Sequence, residues 1–144
     1  MKKLIISAIA LSLAITGCKK SNDDNCKVTV AAIAANYRIT KVEVVSSSGN
    51  SDVTNTFLDD CKKGGFYQLK TDNTYQYTEV GSSCTGSGSG AWNVANSTVT
   101  ITGAGGFQFT NAPVESWDCS VLILTQDINV AGSNVKGRFT FTKL

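Results

Sequence analysis

Through most of the chain, apolar and polar residues alternate over short segments, which is the pattern of strands with one face in a core. Residues 37–45 are rich in β-branched side chains and change parity midway, which predicts a strand that contains a bulge. Residues 65–69 and 74–80 flank a turn at Asp72 and Asn73, and both residue types tolerate the left-handed backbone of a tight turn. The pattern therefore predicts a β-hairpin in the first half of the chain.

The second half of the chain continues the same pattern. The segment "AWNVANSTVTITG" predicts two short strands that turn at Asn96 and Ser97, and the run "CSVLILT" is apolar on both faces. The closing segment "KGRFTFTKL" predicts a last strand with Phe139 and Phe141 directed inward. Residues 82–90, "SSCTGSGSG", are rich in glycine and serine and are predicted to form a flexible loop.

Short strands at regular spacing, with thirteen glycines and one proline, predict an all-β fold. The predicted architecture is an antiparallel up-and-down meander of about eight strands, either a barrel or a sandwich. Residues 28–35 are alanine-rich and predict a short N-terminal helix or lid before the first strand. The predicted folded domain spans residues 28–144 as one unit.

The first seventeen residues have the parts of an export signal. Lys2 and Lys3 give a positive start, residues 4–15 form an apolar region in which the only polar residues are two serines, and two small residues follow. This apolar stretch falls short of the roughly 20 residues that span a bilayer. We therefore predict that residues 1–17 are a signal peptide rather than a transmembrane helix.

The segment "ITGC" at residues 15–18 resembles the lipobox of bacterial lipoproteins, in which a small residue precedes a cysteine. The resemblance implies that the sulfur of Cys18 is joined to diacylglycerol, and that the signal peptidase cuts before this residue. Two or three acyl chains, such as palmitate, anchor a protein stably. The predicted protein is thus a lipoprotein whose first partner is the membrane, through its N-terminal acyl chains.

Residues 18–27 follow as a lipidated, flexible tether, because most of them are polar and none is able to join a core. Asp23 and Asp24 come shortly after a lysine pair, and this arrangement resembles the signal by which some Gram-negative bacteria export lipoproteins to the cell surface. We expect a lipid-anchored protein of the outer membrane, at its periplasmic face or at the cell surface.

The charge balance argues against nucleic acid as a partner. Loss of residues 1–17 removes two of the thirteen basic residues and leaves eleven, equal to the eleven acidic ones. Nucleic-acid binding needs clustered Lys and Arg, whereas the basic residues here are scattered.

The four cysteines other than Cys18 predict two disulfides, because an even number of cysteines in an exported chain is typical of disulfide pairing. Spacing alone leaves three connectivities open. Cys61 and Cys84 flank the same predicted hairpin, which favours their pairing and leaves Cys26 for Cys119. A zinc site is the competing interpretation, but the chain has no CxxC pair and no histidine, so no metal is expected.

The arrangement of these segments over residues 33–144 resembles the lipocalin-like domains of outer-membrane lipoproteins. The resemblance lies in "NYRITKVEVV", a cysteine before "GFYQLKTDNTYQY", a second cysteine, and then "AWNV" and "STVTI". It implies an up-and-down barrel whose last strand pairs with the first, and a disulfide between Cys61 and Cys84. The group usually has tryptophan where Tyr37 stands, and it has no established common ligand.

Catalysis is not expected from this chain. It has no histidine, which removes the commonest general base, and no GxSxG motif. The "GSGSG" run lacks the lysine of a phosphate-binding loop. Adjacent Asp59 and Asp60 lack calcium-loop spacing and are predicted to lie in a solvated turn. We therefore predict a protein that is not an enzyme and carries no cofactor.

Two binding hypotheses follow. An eight-stranded barrel is wide enough to hold one small apolar ligand. The residues predicted to line it are Tyr75, Tyr77, Trp92, Phe107 and Phe109. Alternatively, the barrel is filled by its own side chains, and loops near Trp117 or residues 45–53 contact a protein or a glycan.

Overall fold

The computed structural model describes residues 26–144, and Cys18, the signal peptide and the tether up to residue 25 lie outside the described residues. The helices of the described part are all short: α1 (Val30–Ile33), α2 (Thr54–Phe57) and α3 (Asp60–Gly64). Its strands are β1 (Asn36–Val45), β2 (Ser51–Asp52), β3 (Phe66–Leu69), β4 (Thr74–Thr78), β5 (Gly88–Ala95), β6 (Thr98–Gly103), β7 (Phe109–Trp117), β8 (Val121–Val130) and β9 (Ser133–Lys143). Among residues 26–144, no helix has the length and apolar character needed to cross a membrane.

Eight strands form a closed antiparallel barrel. From β3 to β9 each strand pairs with the next along the chain, β1 pairs with β3, and β9 pairs back to β1 and closes the ring. The short β2 lies beside the far end of β1 through the pair Glu43 and Asp52. The predicted all-β meander is confirmed, and it closes as a barrel rather than stacking as a sandwich.

The local signals for β1 and for two hairpins are confirmed. The β1–β9 register shifts between Ile39 and Lys41, at the predicted change of parity. Asn73 has φ 67° at the β3–β4 turn, and Asn96 and Ser97 have φ 49° and 59° at the β5–β6 turn. The left-handed pair Asn96 and Ser97 gives the two-residue β5–β6 hairpin the twist of its strands, and Asn73 is the left-handed residue that ends the longer β3–β4 turn.

The glycine-rich segment differs from its prediction. Residues 82–90 were expected to form a loop, but Gly88 begins β5, and Gly90 pairs with Gly103 of β6. A Cβ at Gly90 would clash with the carbonyl of Thr102 and lie 2.8 Å from the ring of Tyr75. Glycine is needed here because two strands and a buried ring approach closely.

The N-terminal segment closes one end of the barrel. The predicted short helix is confirmed as α1, which Thr29 caps by accepting a hydrogen bond from the N–H of Ala32 at 3.3 Å. Ile33 is fully buried, and the Tyr37 hydroxyl donates to its carbonyl at 2.7 Å. Tyr37, at the position where the lipocalin-like group usually has tryptophan, thus links β1 to α1.

The segment between β1 and β3 covers the other end. Leu58 is buried, and Phe57 packs against Phe107 with ring centroids 6.4 Å apart. Asp59 is the N-cap of α3, and its carboxylate accepts a hydrogen bond from the N–H of Lys62 at 2.9 Å. The aspartates predicted in a solvated turn therefore stand at a helix start, where negative charge is favourable.

Candidate functional site

The five residues predicted to line a ligand cavity lie together inside the barrel. Tyr75, Tyr77, Trp92 and Phe109 are at most 3% exposed, and Phe107 is half-buried against them. They belong to one core cluster that every barrel strand joins.

The interior rings pack on one another. The ring centroids of Tyr67 and Tyr77 are 4.8 Å apart, and those of Phe109 and Phe139 are 5.0 Å apart in an edge-to-face arrangement. Phe107 lies 5.5 Å from Phe139. Such separations are those of rings in direct contact, so the side chains of neighbouring strands fill the space between them.

Loop 104–108 is held over one mouth of the barrel by tyrosine hydroxyls. The Tyr75 hydroxyl donates to the carbonyl of Ala104 at 2.9 Å and accepts from the amide of Gln108 at 3.1 Å. The Tyr67 hydroxyl is hydrogen-bonded to the backbone N–H of Phe107 and lies 3.2 Å from its carbonyl. Burial raises the pKa of Tyr67, so its hydroxyl keeps its proton.

Trp92 and Tyr77 are two further interior residues with polar groups. The indole N–H of Trp92 donates to the carbonyl of Lys70 at 2.8 Å. Burial raises the pKa of Tyr77 to about 12, with smaller contributions from the carboxylates of Glu79 and Asp59. The structure therefore brings the predicted residues together as a packed core, and ligand binding by them stays a prediction.

Both predicted disulfides are present. Cys26 pairs with Cys119 across 93 residues, and Cys61 pairs with Cys84 across 23 residues. Their Cα atoms are 5.2 Å and 5.6 Å apart, within the usual range for a disulfide. One pair fixes the start of the domain to the β7–β8 loop, and the other joins α3 to the β4–β5 loop.

Cys61, Glu79 and Cys84 bring three potential metal-ligand atoms within 4.8 Å of one another. Both sulfurs belong to the disulfide, however, and the metal ligand that cysteine supplies is the thiolate. The carboxylate of Glu79 accepts a hydrogen bond from the N–H of Gly86 at 2.8 Å. These contacts describe a structural junction of α3 with the β4–β5 loop.

A polar cleft lies on the outer wall where β7 and β8 separate. The two strands pair at three positions, from Trp117 with Leu122 to Val114 with Leu124, and no β7–β8 pair follows among the described residues. Beyond that point the cleft has a volume of about 370 Å³. It is lined by Thr110, Asn111, Ala112, Pro113, Thr125, Gln126, Asp127 and Lys136. The sequence analysis missed this feature, although Pro113 within an alternating run was a signal for it.

The side chain of Gln126 bridges the separated strands. Its oxygen accepts from the N–H of Thr110 at 3.1 Å, and its amide donates to the carbonyl of Gln108 at 3.1 Å. Nearer the paired end, Arg138 of β9 donates to Glu115 of β7 at 2.8 Å across β8. This hydrogen bond raises the pKa of Arg138.

In the part of the chain that the structure describes, no aromatic ring is exposed on a loop. Trp117 was expected on a loop, but it ends β7, is half-buried, and packs 6.2 Å from the ring of Tyr37. The large apolar side chains exposed in residues 26–144 are those of Val80 and Leu144. Residues 46–52 are exposed and polar.

The fold and the cleft together define a closed β-barrel with a polar seam in its wall. Comparison with protein-family models, with curated proteins and with solved structures finds no match to this chain. The lipobox and the lipocalin-like segments therefore remain predictions from the residues, and the architecture stands on the strand pairing alone.

Proposed function

We propose that this protein is an outer-membrane lipoprotein whose barrel acts without catalysis, through contacts of its outer surface with another macromolecule. The observation that carries the proposal is the packing of buried rings against one another inside the barrel, from which we infer that the interior is filled. Within residues 26–144, eighteen hydrophobic side chains are buried as one cluster, α1 covers one end of the barrel, and α2 and loop 104–108 cover the other. Small barrels filled by their own side chains present only their outside to partners.

The anchoring part of the proposal is supported by the "ITGC" segment and by the apolar stretch before it. Replacement of Cys18 by Ala tests it through incorporation of radiolabelled palmitate. We expect label on the unaltered chain and none on Cys18→Ala. Cys26→Ala is the matched control, because it removes a nearby cysteine that the proposal assigns to a disulfide. Label on Cys18→Ala would contradict the proposal.

The filled interior is tested by quenching of Trp92. The chain has two tryptophans, so Trp117→Phe leaves Trp92 as the single reporter inside the barrel. Brominated fatty acids quench tryptophan on contact, and we expect no saturable quenching of this variant. A saturable loss of emission at one fatty acid per chain would show an open interior and overturn the surface proposal.

A small apolar ligand inside the barrel is the second candidate function, and one feature favours it. Loop 104–108 is held partly by the hydroxyls of Tyr67 and Tyr75, and it contains Gly105 and Gly106 at φ 76° and 66°. Movement of this loop would uncover the rings beneath it. The quenching experiment separates the two candidates, since only the second predicts contact of a lipid with Trp92.

A further inference from the structure

We propose that the seam between β7 and β8 binds an extended peptide segment of a partner protein, which pairs with the free edge of β8. This inference rests on the proposed function, because it specifies which part of the outer surface acts and what class of partner it takes. The chemistry is backbone pairing, in which main-chain hydrogen bonds supply affinity and side-chain contacts supply selectivity.

The hairpin of β8 with β9 determines toward which neighbour each backbone N–H and C=O group of β8 points. Val130 and Ser133 flank a two-residue turn, and residues in that position exchange both of their backbone hydrogen bonds. Hydrogen-bonded positions then alternate along the strand, so the even-numbered residues of β8 bond to β9. The N–H of Lys143 donates to the carbonyl of Ser120 at 2.8 Å, which agrees with this alternation.

The odd-numbered residues of β8 consequently direct their N–H and C=O groups toward β7. Near the paired end this is seen directly, because the N–H of Asp118 donates to the carbonyl of Val121 at 3.3 Å. Further along, Asp127 and Asn129 face the seam, where β7 forms no backbone pair with them. The N–H and C=O groups of these two residues form an edge that a further strand can extend.

Residues of β7 explain why the ladder stops. After Val114 and Leu124, regular pairing would place Pro113 opposite Thr125, and proline has no N–H to donate. Asn111 has φ 49°, which turns the strand away from a regular path. On the other side of the seam, the N–H of Thr110 in β7 and the carbonyl of Gln108 just before β7 are bonded to the side chain of Gln126, so the free edge that we infer is that of β8.

The lining of the cleft favours a peptide over a small apolar molecule. Its residues are mainly hydroxyl, amide and charged types, and none is aromatic, whereas small-molecule pockets are lined mostly by apolar and aromatic groups. Asp127 and Lys136 carry opposite charges, so the cleft selects no single sign of charge. Its distinguishing feature is a stretch of β8 that has no ladder partner on β7, and an extended backbone is the complement of such an edge.

Hydrogen exchange measured by NMR on the full chain in detergent micelles tests the free edge without any substitution. We expect slow exchange at the amides of Gln126, Ile128 and Val130, which bond to β9, and fast exchange at those of Asp127 and Asn129. Slow exchange at all five amides would show that the seam is closed in solution and would overturn the inference.

Selection from a displayed library of random peptides tests binding. We expect peptides that bind the unaltered chain and Asp127→Ala, but that bind Asp127→Pro at least tenfold more weakly. Both substitutions remove the carboxylate of Asp127, but proline also removes the seam-facing N–H, which alanine keeps. Bound peptide should slow exchange at Asp127 and Asn129, a readout that holds even if the proline variant does not fold.

The outcomes separate this inference from the function on which it rests. Peptides that bind equally to Asp127→Pro, or that leave the exchange of Asp127 and Asn129 unchanged, would overturn the seam site and leave a surface function elsewhere. The absence of any selected peptide would also overturn it. Saturable quenching of Trp92 by brominated fatty acid would instead remove the proposed function itself.

Discussion

At the scale of single residues, side chains in this barrel supply hydrogen bonds that neighbouring strands supply elsewhere. The hydroxyl of Thr54 accepts from the N–H of Val42 at 2.9 Å, on the edge of β1 that faces away from β9 and has no strand partner at this position. The amide of Asn73 donates to the carbonyl of Trp92 at 3.1 Å, and Gln126 bridges the seam in the same way. Buried or half-buried backbone groups remain paired although the strands differ in length.

Replacement of Gln126 by Met should destabilise the protein by about 1–3 kcal/mol, because it leaves the N–H of Thr110 and the carbonyl of Gln108 without their partner. Chemical denaturation measures the change in the free energy of unfolding. Gln76→Met is the matched control, since Gln76 is an exposed glutamine on β4. Equal effects of the two substitutions would refute a bridging role for Gln126.

Gly106→Ala should destabilise the barrel more than Gly132→Ala. Both glycines have positive φ, at 66° and 86°, so both substitutions carry backbone strain of about 1 kcal/mol. A Cβ at Gly106 would also clash with the hydroxyl of Tyr67, whereas a Cβ at Gly132 meets open space. Thermal unfolding should show the larger loss for Gly106→Ala, and the reverse order would contradict the described packing of loop 104–108.

At the scale of elements, the two disulfides hold the covers of the barrel rather than its strands. Cys26–Cys119 fixes the segment that leads into α1, and Cys61–Cys84 fixes α3 beneath the β4–β5 loop. The strands themselves are joined by continuous pairing, from β1 with β9 through each neighbour. The barrel wall and its covers therefore depend on different kinds of bond.

Removal of the longer cross-link should cost more stability. In the chain-entropy account, a loop of 93 residues contributes about 5 kcal/mol and a loop of 23 residues about 3 kcal/mol. We expect the double variant Cys26→Ser with Cys119→Ser to unfold at lower denaturant than Cys61→Ser with Cys84→Ser. A lower midpoint for the second variant would show that the α3 cover contributes more than its loop length implies.

The elements that local chemistry dictates were predictable, and those that depend on distant contacts were not. The turns at Asn73 and at Asn96 and Ser97 were predictable from the sequence, because few residue types adopt positive φ. By contrast, α2 has four residues and no side-chain cap, so no local pattern marks it. Residues 88–90 extend β5 beyond the predicted strand because Gly103 of β6 lies opposite Gly90, a contact that composition does not show.

The candidate site shows the same division. The aromatic residues were predicted to point inward from their alternation, and their burial confirms this placement. Whether they enclose a cavity depends on how rings from different strands meet, as Phe109 meets Phe139. The seam depends on the register of β7 against β8, which Pro113 alone did not reveal.

At the scale of the whole molecule, alkaline pH should unfold the protein through its buried tyrosines. Burial raises the pKa of Tyr37 and of Tyr77 to about 12, against about 10 in an unfolded chain. The folded state therefore keeps protons that the unfolded state loses, so this contribution to stability is complete below pH about 10 and is lost as pH rises to about 12. Melting temperatures between these values should fall steeply.

Tyr77→Phe should make the fall of stability with pH shallower. The variant has one hydroxyl fewer that loses its proton in the unfolded state and keeps it in the folded state. Phenylalanine keeps the ring that packs 4.8 Å from Tyr67. Unfolding free energies measured across this pH range give the slope for each protein. The same slope in both would mean that Tyr77 ionises freely in the folded barrel, in conflict with its burial.

The most direct test of a lipid-anchored, filled barrel is native mass spectrometry of the full-length gene product extracted from membranes in detergent. We predict the mass of a chain that begins at Cys18, carries acyl chains and two disulfides, and holds no further molecule. A stoichiometric extra mass that is not detergent and that leaves on unfolding would contradict the filled interior. A chain without acyl groups would contradict the anchor.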